Sequence, residues 1–244
     1  MIQRSRSGLR FNISSPYHDL VLTYAWSRLD IDEGLGLVRL DTGDPIGVEG
    51  HEVAVDGGEA WVVTFRVELD RGWRTRVAQV AVVDDARERT LLLEADGEGN
   101  WLRDGVPSPE LQGCLDVDIA ATPFTNTFVI RRLGLSVGDT AEIRAAWVGV
   151  PDLEVEALEQ FYVRLQPRGG LDRYEYRAGG SAKGWIIEVD QDGVASDYEG
   201  FARRYTHSTS SGRITPRHRR AHSDAWRSAR PEGLKPGRAS EQAR

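Results

Sequence analysis

Between Tyr24 and Arg204, short runs of β-branched, aromatic and aliphatic residues recur with pairs of Asp and Gly between them. This rhythm constrains the fold more than any other feature, because strands of an all-β domain return at intervals of roughly ten residues. The runs Trp61–Leu69, Trp73–Val83, Thr90–Ala95, Leu115–Ala120, Thr127–Leu135, Ala141–Val150, Glu159–Leu165, Tyr174–Ala178, Trp185–Asp190 and Val194–Tyr198 read as strands. Asp56-Gly57-Gly58, Asp70-Arg71-Gly72, Asp96-Gly97 and Asp192-Gly193 offer the positive-φ positions that tight hairpins need. No segment carries a long apolar stripe at helical period, and Pro151–Leu158 reads equally as a short helix or a strand. The expectation is an all-β single domain, a strongly curved antiparallel sheet or open barrel with at most short helices. Leu91–Asp96 followed by a Gly turn and Trp101 echoes Trp185–Asp190 followed by a Gly turn and Tyr198, as a duplicated hairpin unit would.

At 244 residues, 40% hydrophobic and 28% charged, the chain can bury one sizeable core or two small ones. Its single cysteine, Cys114, excludes an intramolecular disulfide framework and a cysteine-based zinc site, and reads as a small core residue. No basic, then apolar, then small-residue order opens the chain, and Leu20–Trp26 is too short to span a bilayer, so the expected location is cytoplasmic. Charge is unevenly spread. Residues 207–244 hold nine basic and three acidic side chains, a net of +6, which leaves −13 for the rest of a chain whose total is −7. This stretch is rich in Ser, Gly, Pro, Arg and His, with Trp226 its only large aromatic, and reads as a disordered, solvated or self-docking tail. No specific nucleic-acid partner is predicted from it. The division that follows is an N-terminal extension over 1–23, a β domain over 24–204 and an Arg-rich tail over 205–244.

Period-two alternation places Asp116 and Asp118 on one face of a strand while Leu115, Val117 and Ile119 take the other. Their separation, roughly 6.5 Å along a strand, is near that of an inverting glycosidase pair. Arg74 and Arg76 likewise share a face opposite Trp73 and Thr75, and a strand through Arg131 and Arg132 sends the two to opposite faces. Arginine's planar fork binds carboxylate or phosphate in two-pronged fashion. Two readings are therefore open: these arginines pair with Asp116 and Asp118 to hold register, or together they form a headgroup site. Thr122-Pro123-Phe124-Thr125-Asn126 has the chemistry of a turn, whose polar groups bond either sugar hydroxyls or their own backbone. Gln160, Tyr162, Tyr174 and Tyr176 are residue types found against carbohydrate or at a pocket mouth, and also inside sheets.

Several chemistries are set aside. The chain has no HExxH pattern and no Gly-rich phosphate loop between a strand and a helix. Outside the tail only His18 and His51 are histidines, which leaves little for a metal centre or a Ser-His-Asp system. His51 beside Glu52 reads as a base or as a solvated turn residue. No catalytic residue, metal or cofactor is predicted.

Trp73-Arg74-Thr75-Arg76, the run Gly113–Leu133, Gln160-Phe161-Tyr162, Tyr174-x-Tyr176 and Val189-Asp190-x-Asp192-Gly193-Val194-x-x-Asp197-Tyr198 together resemble the bacterial putative glycolipid-binding family, over roughly Trp26 to Arg204. The resemblance implies a single β domain, curved like the periplasmic lipoprotein carriers, with a groove suited to an acyl chain or glycolipid. The N-terminal extension and the Arg-rich tail depart from the family's pattern. The expected function is noncatalytic binding of a lipid or glycolipid-like small molecule, with Trp73, Arg74, Arg76, Asp116, Asp118, Asn126, Arg131, Gln160, Tyr162 and Tyr174 as candidate contacts. The alternatives are a sugar- or small-molecule-processing enzyme using Asp116 or Asp118, and an interaction protein acting through its basic tail. Nothing in the sequence fixes an oligomeric state.

Overall fold

The computed structural model describes residues 21–205; the extension and the tail lie outside the described residues, save for the few positions that border the sheet. Strands β1 (Val21–Arg28), β2 (Glu33–Asp41), β3 (Ile46–Asp56), β4 (Glu59–Leu69), β5 (Thr75–Asp84), β6 (Glu88–Ala95), β7 (Trp101–Arg103) and β8 (Val106–Pro107) form an antiparallel meander. The chain then passes through a 3-10 turn at Pro109–Leu111, strand β9 (Asp116–Ile119), a second 3-10 turn at Pro123–Thr125 and helix α1 (Asn126–Leu133). It returns as β10 (Thr140–Val148), β11 (Val155–Arg168), β12 (Leu171–Ala178), β13 (Trp185–Val189), β14 (Ala195–Tyr198) and β15 (Ala202–Arg204). The result is one curved, unclosed sheet of fifteen strands, ordered β8-β7-β6-β5-β4-β3-β2-β1-β15-β14-β13-β12-β11-β10-β9. Its first and last strands therefore meet in the middle, where Trp26 pairs with Arg204 and Arg28 with Ala202. Every pairing is antiparallel except β9 with β10.

Curvature brings the β9 edge close to β5 without forming a further ladder. The Thr75 N–H donates to Leu115 O at 3.0 Å, the Val117 N–H donates to the Thr75 hydroxyl at 2.9 Å, and the Gly113 N–H donates to Gly99 O at 2.8 Å. Trp101 Nε1 adds a bond to Cys114 O at 2.9 Å. This seam fixes Gly113–Val117 against the opposite half of the sheet and so positions Asp116.

Two sequence expectations change. Thr127–Leu135 is not a strand: most of it forms α1. Pro123 opens the segment at a first-turn position, where a missing N–H costs nothing, and the Thr122 hydroxyl accepts the Phe124 N–H at 3.3 Å. Gly134 closes it in the left-handed region at φ 55°, its N–H donating to Ile130 O. In the 70–73 turn the positive φ falls on Trp73, at 64°, instead of on Gly72. The β2 and β3 strands, which the list of apolar runs omitted, contain glycines where another side chain needs the room. A Cβ on Gly50 would lie 2.0 Å from the Phe65 ring, and one on Gly36 would lie 2.1 Å from Glu52 Oε1.

The core lies on the concave face. Phe124 and Phe128, from the turn and helix, cover its middle; Phe124 packs against Trp26 and Tyr24 with ring centres 5.9 Å away. Under β11–β15, Tyr162, Tyr176, Tyr198 and Phe201 form a chain of ring contacts at 5.0–5.9 Å. All but Tyr24 of these side chains are buried, and each contributes about 2 kcal/mol or more of apolar burial.

Candidate functional site

Because α1 runs back across the concave face from β9 towards β10, its first turn meets the polar groups of β9 and β11. Asp118 accepts from the Thr125 hydroxyl at 2.8 Å and from Gln160 Nε2 at 2.6 Å. The Tyr162 hydroxyl lies 2.9 Å from Asn126 Oδ1 and 3.2 Å from Gln160 Oε1, its single proton directed between them. Asn126 Nδ2 closes onto Pro123 O at 3.3 Å. Asp118, Asn126, Gln160 and Tyr162, four of the sequence candidates, are thus brought together, but they bond one another. Burial holds the Asp118 carboxyl above its ordinary value while the Thr125 and Gln160 donors pull it down. Burial likewise pushes the Tyr162 phenol well above 10.

Asp116 is fully buried, and its partner is Arg132, not Arg74 or Arg76. Arg132 Nε meets Asp116 Oδ1 at 2.9 Å and its Nη2 meets Oδ2, the two-pronged geometry of a guanidinium–carboxylate pair. Burial raises the Asp116 carboxyl against the pull of Arg132 and, more weakly, Arg74. The pairing depends on the helix: a strand through 127–135 would have placed Arg131 and Arg132 on opposite faces, whereas α1 fans them apart by about 100°. Arg132 turns to Asp116, and Arg131 lays its guanidinium 4.4 Å from the Trp73 ring centre and donates to Asp192 O at 2.7 Å. Arg74 reaches Gly97 O at 3.4 Å, and Arg76 binds Asp96 O. Tyr174 is buried beneath Arg164 on the same face of β12 as Tyr176, 5.9 Å from the Arg164 guanidinium. Trp73 and Arg131 therefore hold each other, Arg74 and Arg76 hold the 96–97 turn, and Tyr174 lies under Arg164.

The open space beside this network is a cleft of about 410 Å³ lined by Gly113, Leu115, Arg132, Leu133, Glu142, Ile143, Arg144 and Glu159. It exists because β9 covers β10 only from Ala145 to Val148, so the Thr140–Arg144 stretch of β10 has a strand neighbour on one side alone. Arg144 spans the mouth and donates to Gln112 O at 2.7 Å. Arg132 joins cleft and network: its fork is held by Asp116 while its side chain forms part of the wall. Of the wall residues, none was among the sequence candidates. A helical reading of 126–133, signalled by Pro123 and Gly134, would have found Arg132.

A second buried charge cluster also escaped the sequence reading. Arg28 binds Asp30 through Nε and Nη2 at 2.8 and 2.7 Å and donates from Nη1 to Ala121 O at 2.6 Å, while its guanidinium stacks 4.4 Å from the Phe201 ring centre. Glu52, only 1% exposed, lies against Gly36 beside this pair, and neither of its oxygens makes a hydrogen bond of normal geometry. Burial pushes its carboxyl up to about 8, although Arg28 and Thr122 favour the charged form. His51, the neighbouring candidate base, is exposed on the opposite face of β3.

Gly134-Leu135-Ser136-Val137-Gly138 spells the GxSxG pattern of hydrolase elbows. It follows a helix and precedes a strand, the reverse of that elbow, and the Ser136 N–H is capped by Asp139 Oδ2 at 2.9 Å in a local turn. Cys114 is buried, and burial lifts its thiol to about 11, away from nucleophile chemistry. Among the described residues no group of His, Cys, Asp and Glu is placed to hold a metal ion, and no helix is long and apolar enough to cross a membrane.

Comparison with known proteins adds two findings. The model of a family described as putative glycolipid-binding matches residues 23–204. The crystal structure of a DUF1089 family protein from Pseudomonas aeruginosa is similar, at 34% identity and a TM-score of 0.62, over 83% of this chain and 99% of that one. No curated protein matches.

Proposed function

This chain belongs to the putative glycolipid-binding family, and on that premise we propose that it binds the hydroxyl-rich headgroup of a lipid or glycolipid-like molecule, without turnover, in the cleft between α1 and the open edge of β10. The observation that carries this reading is the composition of the cleft wall. Arg132 and Arg144 supply donors, Glu142 and Glu159 supply acceptors, and Leu115, Leu133 and Ile143 supply apolar surface. A sugar hydroxyl both donates and accepts, so it uses both kinds of group, whereas phosphate only accepts and would meet the two carboxylates unfavourably. The free edge of β10 adds backbone N–H and C=O groups. Asp116 serves the site indirectly, by holding Arg132 in one orientation before any ligand arrives.

The enzyme alternative is disfavoured by the same geometry. Asp116 is locked to Arg132 and Asp118 to Thr125 and Gln160, so neither presents a carboxylate to the cleft. The test is native mass spectrometry and lipid extraction of the full chain, as purified and after incubation with glycolipid-containing vesicles. A retained lipid mass is expected in the parent protein and absent in Leu133→Arg, which fills the cleft; a cation in the last turn of α1 suits the helix dipole, so the fold survives. A parent protein that retains no lipid under either condition overturns the proposal, as does equal retention by Leu133→Arg.

A further inference from the structure

The convex face of β2–β5 is divided in two. At one end Arg39, Glu49 and Arg66 form an exposed cross-strand ladder with contacts of 3.6 and 3.8 Å, as a solvated surface would. At the other end Leu35, Val53, Val62 and Val83 stand in one cross-strand row, 52%, 54%, 37% and 47% exposed. Leu37 and Val55 flank the row at 44% and 36%. Large apolar side chains aligned on four adjacent strands make a continuous patch, not the scattered exposure usual for a surface. The turns beside it carry exposed Asp32, Glu33, Glu59, Asp85 and Glu88, against a single exposed basic residue there, Arg87.

We propose that residues 207–244 of this same chain dock across that face, Trp226 covering the Leu35–Val53–Val62–Val83 row and the arginines meeting the acidic turns. Charge supports this occupant: the segment carries +6 against −13 for the rest of the chain, so a second copy of the domain would bring acidic rim to acidic rim. Its point of departure supports it too. The Tyr205 N–H donates to Ala25 O at 2.8 Å, and Ala25 pairs with Leu37, so the chain leaves the sheet beside the patch. Reach is ample: the 21 residues from Tyr205 to Trp226 extend up to ~70 Å, and the row spans three strand spacings, ~14 Å.

The test uses the full chain with a photo-crosslinker, Trp226→p-benzoylphenylalanine, and mass-spectrometric mapping. The expected result is an intramolecular crosslink to β2–β4, weakened by added salt. Val53→Lys, at an outward position that leaves the core untouched, lowers its yield about tenfold by setting a cation under a basic segment. Val53→Thr, at the same position, retains it. A crosslink to another part of the chain, one between two chains, none at all, or one indifferent to Val53→Lys each overturns the proposal.

Discussion

Behind α1, Asp116 is buried and Asp118 half-buried, with a donor for each carboxylate oxygen supplied by Arg132, Thr125 and Gln160. Across the same concave face Glu52 is buried as deeply as Asp116, and neither of its oxygens has a hydrogen bond of normal geometry. The contrast traces to where the donors were spent. Arg132 stands at a helix end with its fork free for Asp116, whereas the nitrogens of Arg28 are already committed to Asp30 and Ala121 O. A buried carboxylate is kept as an anion only where the fold aims unengaged donors at it; elsewhere it keeps its proton. The first arrangement lies against an open cleft and orients an arginine. The second stores a titratable group inside the domain.

Breaking the contrast at Glu52 has the largest effect. Its folded form holds the proton more tightly than the unfolded chain, whose ordinary value is 4.5, so the associated stability is fully present below 4.5 and lost as pH rises through about 8. At about 1.4 kcal/mol for each pH unit between those values, the loss is ~5 kcal/mol. Glu52→Gln, which mimics the neutral acid, should flatten that slope; urea midpoints at pH 5 and pH 8.5 measure it, and equal slopes in both proteins would refute the assignment. Next comes Arg132→Ala, which leaves Asp116 buried without its partner. A loss of ~3 kcal/mol is expected near neutral pH, shrinking at pH 5 as Asp116 takes up a proton. Asp118→Asn should cost ~1–2 kcal/mol, because its amide must turn an N–H towards either Thr125 or Gln160, and the thermal midpoint reports it. His51→Ala, on the exposed face, should change stability by less than ~0.5 kcal/mol; a larger change would mean the convex face is covered around His51.

The hairpin rhythm was legible because Asp and Gly at Asp56-Gly57-Gly58, Asp96-Gly97 and Asp192-Gly193 act locally: their positive φ values require nothing from the rest of the fold. The central helix was not, because Thr127-Phe128-Val129-Ile130 has strand composition and only its boundaries, Pro123 and Gly134, speak for a helix. The β2 and β3 strands were masked by Gly36 and Gly50, which lower strand propensity for a reason visible only in three dimensions: Glu52 and Phe65 occupy the space. The candidate polar residues shared the same fate. Alternation grouped Asp116 with Asp118 correctly on one face, since both point to the α1 side, but it could not say which arginine would arrive there. That choice was made by a helix sixteen residues further along.

The meeting of β1 and β15 at the centre of the sheet sets an order of assembly. Trp26 finds its partner only when Arg204 exists, nearly the whole domain later in the chain. During synthesis the β1–β8 meander can zip strand by strand, yet its concave apolar side stays bare until the Phe124–Phe128 segment and the returning strands emerge. Such distant pairing makes folding slow and leaves an aggregation-prone half-sheet waiting. On the ribosome, β1 is the first of these fifteen strands to be made and the last to be paired on both sides.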